Sequence, residues 1–209
     1  MNVLIVPVGM IGTNCYILAS QDNSCVLIDP GAQPEKIASI LRQKKCELKY
    51  ILLTHGHWDH TGAVKGLMEI YPQAQCYIGK GDKELLVDKS KIELMLPGMD
   101  WNDFYIPQAK ELEDGQEFEL SELKIKVMES SGHSLGSVCY ICRDAIFSGD
   151  TLFLENVGRC DLYGGDMDTL RGSLAKLCDL EGDYTVYPGH GQSTTLNHER
   201  KHNYYIINR

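Results

Sequence analysis

The sequence lacks a long apolar run, a surplus of basic charge and an export-type amino terminus. None of its apolar stretches approaches the roughly 18 consecutive residues that a membrane-spanning helix requires. Acidic residues outnumber basic ones by 29 to 20, and the net charge of -9 argues against the basic face of a nucleic-acid-binding protein. The apolar residues at the start of the chain follow no basic segment, which disfavours a secretory signal peptide. We therefore expect a cytoplasmic protein without membrane or nucleic-acid partners.

The sequence also lacks the cysteine pattern of a disulfide framework. Its eight cysteines are scattered singly through 209 residues, a length that does not need covalent cross-links to fold. Cys139 and Cys142 form a CxxC sequence inside a strand-like run, where residues three apart face opposite sides of a sheet. We interpret both as buried packing residues of a protein kept in a reducing compartment.

One short segment, THGHWDH at residues 54–60, is instead dense in metal-binding side chains. It follows an apolar run and contains His55, His57, Asp59 and His60. If the segment is extended, the first three of these side chains share one face and His60 lies on the other. Such a loop would supply ligands to two metal ions.

Three further candidates stand beside glycines at the ends of later apolar runs. They are His133 in SSGHS, Asp150 in FSGDT and His190 in YPGHG. Each alone would be read as a turn residue, but together with residues 54–60 they make seven donors, enough for two ions that share one. His198 and His202 are four apart, but no third partner is near them in sequence, so we interpret them as an ordinary helix face.

The periodicity of the first half predicts sheet and helix in alternation. Strands at 2–8, 13–19 and 24–29, separated by short turns, indicate an antiparallel meander. The pattern then favours a helix at 34–45, a buried strand at 50–53, a helix at 61–71, a strand at 75–78 and a short helix at 81–88. Residues 89–109, with breakers at Pro97, Gly98 and Pro107, are predicted as a long loop, either a packed surface connection or a lid.

The second half repeats this order of sheet first and helix later. Strands are predicted at 117–120, 123–129, 137–142, 145–147 and 185–187, and helices at 167–177 and 193–207. Grouped strands with helices in both halves favour an α+β fold in which two stacked sheets are covered by helices. Loops at one edge of the sheets would then hold the metal site.

The four motifs in this order resemble the metallo-β-lactamase fold superfamily, and the likeness spans nearly the whole chain. The resemblance implies a four-layer αββα sandwich formed as a single domain by residues 1–209. Within the superfamily, SGDTLF and residues 158–162, GRCDL, are most similar to short glyoxalase II (hydroxyacylglutathione hydrolase) enzymes. Full-length relatives of that kind continue into a helical carboxy-terminal domain. This sequence ends one helix after His190, so no such domain is expected.

The resemblance implies a role for each donor. His55, His57 and His133 would bind one metal ion, Asp59, His60 and His190 a second, and Asp150 would bridge them. Zinc is the metal expected at these nitrogen and oxygen donors, and iron and manganese are also compatible. Asp29 is interpreted either as the hydrogen-bond partner of a ligand imidazole or as a turn residue.

Two adjoining divalent ions predict hydrolytic chemistry. They lower the pKa of a bridging water to about 7, and the remaining positive charge stabilises the oxyanion formed when hydroxide attacks an activated carbonyl. Asp59 would orient this hydroxide or carry its proton. The expected substrate is a small thioester or related acyl compound, with S-2-hydroxyacylglutathione as one candidate.

Arg159 is the residue expected to contact the substrate. It stands where the glyoxalase II pattern has a basic contact to the glutathione moiety, although a structural salt bridge explains it equally well. The neighbouring Cys160 is read as a packing residue. Arg200, Lys201 and Asn203 near the end of the chain are either further substrate contacts or a solvated helix face.

Two other function classes stay open at this stage. The chain also resembles persulfide dioxygenases, which have the same fold and share the GRxD sequence. Those enzymes use a site with a single iron ion. A non-catalytic thiol- or metal-binding module would not need the full donor set. A β-lactamase would be expected to carry an export leader, and a nuclease of the superfamily a basic surface. The sequence leaves the oligomeric state open.

Overall fold

The computed structural model describes residues 2–95 and 98–208. Within this part of the chain, twelve strands form two six-stranded sheets. Pro97, one of the predicted breakers, lies outside the described residues. No described helix has both the length and the apolar character needed to cross a membrane.

The first sheet is built from the first half of the chain and joins strands in sequence order. Its strands are β1 (Asn2–Val8), β2 (Thr13–Ala19), β3 (Ser24–Ile28), β4 (Glu47–Leu52), β5 (Gln75–Gly79) and β6 (Lys110–Leu112). The first three pair antiparallel, which confirms the predicted meander. The strands from β3 to β6 pair parallel, so each needs a crossover connection.

The second sheet is built from the second half and is mostly antiparallel. Its strands are β7 (Glu117–Leu120), β8 (Leu123–Glu129), β9 (Val138–Cys142), β10 (Ala145–Gly149), β11 (Thr185–Pro188) and β12 (Thr194–Thr195), in the spatial order β12-β11-β10-β9-β8-β7. The pair β10 and β11 is parallel. Buried and exposed residues alternate at the start of β8, as expected for a sheet with different environments on its two faces.

The described residues contain eight helices. They are α1 (Pro34–Gln43), α2 (Trp58–Thr61), α3 (Val64–Ile70), α4 (Glu84–Val87), α5 (Lys89–Met95), α6 (Met167–Cys178), α7 (Leu196–His202) and α8 (Tyr204–Ile207). Short 3-10 turns lie at Lys80–Asp82 and Trp101–Phe104.

Three apolar clusters separate four layers, which confirms the αββα sandwich. The first cluster packs the first sheet on α1 and α3, the second lies between the sheets, and the third packs the second sheet on α6. Neighbouring strand residues alternate between clusters: Ile17 faces the helices and Leu18 the other sheet. Cys139 and Cys142 face opposite sides of the second sheet, as predicted from their spacing.

Several predicted boundaries were wrong, and one of them concerns the metal-binding segment. The chain is extended only as far as His57, and α2 begins at Trp58, so Asp59 and His60 lie on a helical turn. The helix predicted at 61–71 is divided between α2 and α3. The strand predicted at 50–53 begins earlier, at Glu47, because Ser24 and Cys25 of β3 pair with Glu47 and Leu48.

Two longer segments also differ from their predictions. The stretch 89–109 was predicted as a long loop, but it contains α5 and a 3-10 turn; its described residues pack against α4 and α3, as in the packed-connection alternative. The helix predicted at 193–207 begins only at Leu196, after the short strand β12. It is divided into α7 and α8 because Asn203 leaves the helical conformation and caps α8 with its side chain.

Candidate metal centre

Loops at one edge of the two sheets bring all seven predicted donors together. The segment after β4 carries the residues of THGHWDH, the loop between β8 and β9 carries His133, Asp150 follows β10 and His190 follows β11. The ends of β3 and β4 in one sheet meet the ends of β10 and β11 in the other. The site is therefore assembled from both halves of the chain.

The first donor group consists of His55, His57 and His133. One nitrogen of each ring lies within 4.8 Å of the others. His57 Nδ1 lies 3.0 Å from His133 Nε2. All three side chains are buried.

The second donor group consists of Asp59, His60 and His190. The Nε2 atoms of the two histidines are 3.3 Å apart. Asp59 Oδ2 lies 3.2 Å from His60 Nε2 and 3.1 Å from His190 Nε2. These three atoms converge on one point, although α2 and the loop after β11 are far apart in sequence.

Asp150 lies between the two groups. Its Oδ2 is 3.7 Å from both His133 Nε2 and His190 Nε2. Its Oδ1 is 3.5 Å from His60 Nε2. The carboxylate thus faces a member of each group, as expected of a bridging ligand.

The spacing and the unpaired atoms of these donors suit metal binding. Ligand atoms bound at about 2.0–2.1 Å to one tetrahedral ion lie roughly 3.3 Å apart, close to the separations within each group. Among the described residues, His55 Nε2 and Asp150 Oδ1 are buried at the site without a hydrogen-bond partner. Buried polar atoms are rarely left unpaired, so the site is built for a group that the protein alone does not supply. The clusters of histidine and aspartate suit a binuclear centre.

Three of the histidines are oriented by hydrogen bonds from the ring nitrogen that faces away from the site. His60 Nδ1 donates to Asp29 Oδ2 at 2.9 Å, and His133 Nδ1 donates to the Arg159 carbonyl oxygen at 2.7 Å. His55 Nδ1 donates to Thr54 Oγ1 at 3.1 Å, because that hydroxyl in turn donates to Asp29 Oδ2. Each bond fixes the tautomer that leaves Nε2 open to a metal.

Asp29 therefore has the hydrogen-bonding role anticipated from the sequence. It lies near both His55 and His60, within reach of a shared ion. Its Oδ2 already accepts hydrogen bonds from His60 and the Thr54 hydroxyl, and its Oδ1 accepts from the Thr54 amide. We assign it as an orienting acceptor rather than a ligand.

The two donor groups differ in their electrostatics. Burial, together with the neighbouring histidines, lowers the pKa of His57 to about 3 and holds the pKa of His55 well below its usual range. Burial also opposes protonation of His60, but Asp150, Asp29 and Asp59 raise its pKa well above the usual value. For Asp59, burial raises the pKa, while His60 and His190 lower it further than burial raises it. His55 and His57 of the first group are thus neutral imidazoles, and the second group already contains an anionic carboxylate.

Glycine at position 189 gives Asp150 and His60 the space they occupy. A Cβ atom there would lie 2.2 Å from Asp150 Oδ1 and 2.7 Å from His60 Cε1. Any other residue would displace the carboxylate between the two groups. This close approach explains one glycine of the PGHG motif.

The site opens to solvent on the side of Asp59, Asp150 and His190. Their side chains are 11%, 12% and 27% exposed, whereas His55, His57 and His60 are buried. A substrate would approach from this side, next to the second donor group.

Arg159 contributes to the site through its backbone and extends its side chain outward. Its carbonyl orients His133, while its guanidinium makes a two-pronged ion pair with Asp161 at 2.6 and 2.7 Å. The guanidinium is 62% exposed. This position is compatible with either predicted role of Arg159, a structural salt bridge or a contact to the substrate. Cys160 is half-buried.

His198 and His202 do not join the seven donors. Their rings pack together on α7 at 4.5 Å, and His198 Nε2 pairs with Glu155 Oε1 at 2.8 Å. Arg200 on the same helix binds the carbonyl oxygens of Cys178, Leu180 and Gly182. It therefore supports the end of α6 rather than a substrate.

Sequence reasoning missed several supporting residues. The Thr13 hydroxyl donates to Asp59 Oδ2 at 3.0 Å, and Tyr16 OH donates to the Pro188 carbonyl oxygen at 2.5 Å, which fixes the loop of His190. Asp82 is buried and accepts from Gly56 N. In sequence Thr13 is an ordinary first residue of a predicted strand and Asp82 a helix-start residue, and neither carries a signal that it meets a loop so distant along the chain.

Comparisons with known proteins agree with this geometry. The family model of the metallo-beta-lactamase superfamily matches residues 8–190. Hydroxyacylglutathione hydrolase GloC of Haemophilus influenzae is 29% identical over 209 residues, 99% of this chain and 98% of that protein.

Two solved structures are similar over almost their full lengths. The BLEG-1 B3 metallo-beta-lactamase has a TM-score of 0.86 and 31% identity, with 98% of this chain and 99% of that chain covered. The di-iron-bound form of TTHA1623 has a TM-score of 0.82 and 34% identity, with 97% and 100% covered.

Proposed function

Because the chain belongs to the metallo-beta-lactamase superfamily, we propose that it is a metal-dependent hydrolase that cleaves a thioester or related activated acyl compound, in the manner of glyoxalase II. The observation that carries the proposal is the pair of donor groups joined by Asp150, whose Oδ2 is 3.7 Å from a histidine of each group. A site for one metal ion would not explain why Asp59, His60 and His190 also lie together.

We propose two divalent ions as the cofactor, with zinc first and iron or manganese as alternatives. His55, His57 and His133 would hold one ion, Asp59, His60 and His190 the other, and Asp150 would contact both. The tetrahedral spacing of the donors supports zinc. The di-iron form of TTHA1623 supports iron as a compatible metal.

The chain's own residues would prepare the site for attack on a carbonyl. Ions bound there would supply a hydroxide nucleophile near neutral pH and positive charge for the developing oxyanion. Asp59 Oδ2 is held by the Thr13 hydroxyl at 3.0 Å, which leaves Oδ1 as the atom that orients the nucleophile or holds its proton. The buried wall formed by His55, His57 and His60 excludes water from the inner side of the site.

The substrate class rests on the leaving group and on Arg159. A thiolate departs readily, and none of the seven donors is needed as a general acid. The exposed guanidinium of Arg159, whose backbone carbonyl contacts His133, would recognise a carboxylate on the thiol part of the substrate. The hydroxyacylglutathione hydrolase named among the relatives supports this class.

The test is a substrate panel on protein of measured metal content. The panel would contain S-lactoylglutathione, a thioester without carboxylates on its thiol part, and a β-lactam, since one similar structure is a β-lactamase. We expect two ions per chain and hydrolysis of thioesters. Asp59→Ala should reduce the rate by about 100-fold or more, beyond the loss typical of an outer-shell change. Asp168→Ala, at an exposed ion pair on α6, should not reduce it.

Other results would replace the proposal by a different function. One iron per chain with oxygen uptake on glutathione persulfide would indicate a persulfide dioxygenase. Turnover of the β-lactam alone would indicate a β-lactamase. Full thioesterase activity in Asp59→Ala would contradict the dinuclear site.

A further inference from the structure

A tight turn after β5 lies against the loop that carries His133. Residues 79–82 form this turn, and Lys80–Asp82 is a 3-10 helix. A Cβ atom at Gly79 would lie 1.9 Å from the Gly136 carbonyl oxygen, so the two backbones approach more closely than any side chain at that position permits. The turn therefore packs the first half of the chain against the second through direct contact between backbone atoms.

Asp82, at the end of this turn, uses both carboxylate oxygens as acceptors. Its Oδ2 accepts hydrogen bonds from Gly56 N at 2.8 Å and from the Ser134 hydroxyl at 2.7 Å. Its Oδ1 accepts from Gly136 N at 2.7 Å. The side chain is buried, with only 1% of the residue exposed.

These partners flank the three imidazoles of the first donor group. Gly56 stands between His55 and His57, and Ser134 follows His133. The 3.0 Å approach of His57 Nδ1 to His133 Nε2 crosses the junction between the two loops. One carboxylate thus fixes the loops that deliver every donor of this group.

We propose that Asp82 is a positioning residue that sets the geometry of the first donor group and leaves the second unaffected. The second group is supported by other residues: Thr13 binds Asp59, Asp29 binds His60, and Asn14 and Tyr16 fix the Pro188 carbonyl in front of His190. The inference relies on the proposed function only in requiring that these donors bind metal.

An amide cannot replace this carboxylate, although it has the same shape. In either orientation of the new side chain, Asp82→Asn would place an NH2 group opposite a backbone N–H, that of Gly56 or that of Gly136. One amide of the two loops would therefore lose its acceptor. A buried donor left unpaired drives the loops apart or admits water.

The fold itself does not depend on this contact alone. The two halves are also joined by Val138 N donating to the Thr54 carbonyl at 2.8 Å and by Tyr140 OH donating to the Leu53 carbonyl at 2.6 Å. We therefore expect Asp82→Asn to fold and to show its defect at the metal site.

Zinc binding, measured in a chelator titration of the full chain, tests the proposal. The binding step of the first donor group is identified by its absence in His133→Ala. Asp82→Asn should weaken that step by about 10–100-fold, as outer-shell changes do, and leave the other step unchanged. Glu199→Gln is the matched control. Glu199 is a buried carboxylate away from the first donor group, and it accepts hydrogen bonds from Glu155 N, Asn203 Nδ2 and Thr194 Oγ1. This substitution should leave the first zinc-binding step unchanged.

Ser134→Ala keeps the experiment decisive if Asp82→Asn does not fold. It removes one of the three donors to Asp82 and should weaken the first step by up to about tenfold, the worth of one hydrogen bond. An unchanged first step in Ser134→Ala, or equal weakening of both steps in a folded Asp82→Asn, would overturn the proposal. Wild-type protein that binds two zinc ions but cleaves no thioester would refute the proposed function alone.

Discussion

Arg159 joins two roles in one residue: its carbonyl oxygen orients His133, and its guanidinium faces solvent. A substitution of the side chain changes only the second role. The guanidinium is paired with Asp161, so a substrate carboxylate would approach a positive charge that is already fixed in direction.

We predict that Arg159→Ala raises KM for S-lactoylglutathione by about tenfold, the worth of one charge-assisted hydrogen bond, and leaves kcat nearly unchanged. Zinc content should stay at the wild-type level because the backbone carbonyl is retained. The measurement is steady-state kinetics with thioesters that do and do not carry a carboxylate on the thiol part.

Arg171→Ala is the matched control, because Arg171 makes a similar exposed ion pair with Asp168 on α6. It should change neither KM nor metal content. Equal KM values for Arg159→Ala and Arg171→Ala would show that Arg159 does not contact the substrate and that its ion pair with Asp161 is structural.

The helices differ in how clearly their ends are specified. α6 begins at an N-cap, where the Asp166 side chain accepts from Thr169 N at 2.7 Å. Its buried stripe of Leu170, Leu174 and Leu177 packs on the second sheet. α2, in contrast, has no side-chain cap at His57.

For α6 we predict that Asp166→Ala destabilises the protein by about 1 kcal/mol through loss of the cap. For a chain of this length that corresponds to a fall in Tm of about 2–4 °C. Asp168→Ala removes a carboxylate from the same first turn but no cap, and should change Tm by less. Thermal unfolding of the metal-loaded variants checks this, and equal Tm values for the two would contradict the capping role.

Elements could be predicted from sequence where their own residues specify them clearly, and not where distant contacts decide their conformation. β7 and β8 were predicted with the correct boundaries, because their apolar residues alternate and Ser121 turns the chain between them with φ of 52°. α5 was missed because only Ile92 is buried along it, which gives no periodicity. β6 has one buried residue, Leu112, and pairing with β5 decides its conformation.

The candidate site follows the same rule. The seven candidate donors, which the structure brings together, stood out in the sequence because four lie within residues 55–60 and three stand beside glycines after apolar runs. Thr13 and Asp82 were not, because each binds a partner distant along the chain: 46 residues separate Thr13 from Asp59, and 52 separate Asp82 from Ser134. Only the stacking of the two sheets brings these pairs together.

At the level of the whole molecule, the donors come from both halves of the chain. Four lie in the first half after β4, and three follow or precede strands of the second sheet. The apolar cluster between the sheets, which includes Tyr16, Leu52 and Phe147, holds the halves together independently of the site. That residues 1–209 act as one domain stays a prediction.

A site assembled in this way predicts that metal binding stabilises the whole fold. In the unfolded chain each group is incomplete, because His133 is 76 positions from His57 and His190 is 130 positions from His60. The ions therefore bind the native state much more tightly than the unfolded chain. At a free zinc concentration 100 times the dissociation constant, one site contributes about 2.7 kcal/mol. For a chain of this size that corresponds to a rise in Tm of about 5–10 °C over the metal-free protein.

The prediction is checked by following Tm as zinc is added to metal-free protein. Because the stabilisation follows mass action, Tm should continue to rise with free zinc beyond saturation of the sites. His198→Ala, which alters a histidine pair outside the site, should show the same increase as wild type. His133→Ala should show a smaller one, because one group loses a donor from the second half. If Tm were independent of zinc, the two halves would be held by the apolar cluster alone, and the seven side chains would not act as a metal centre.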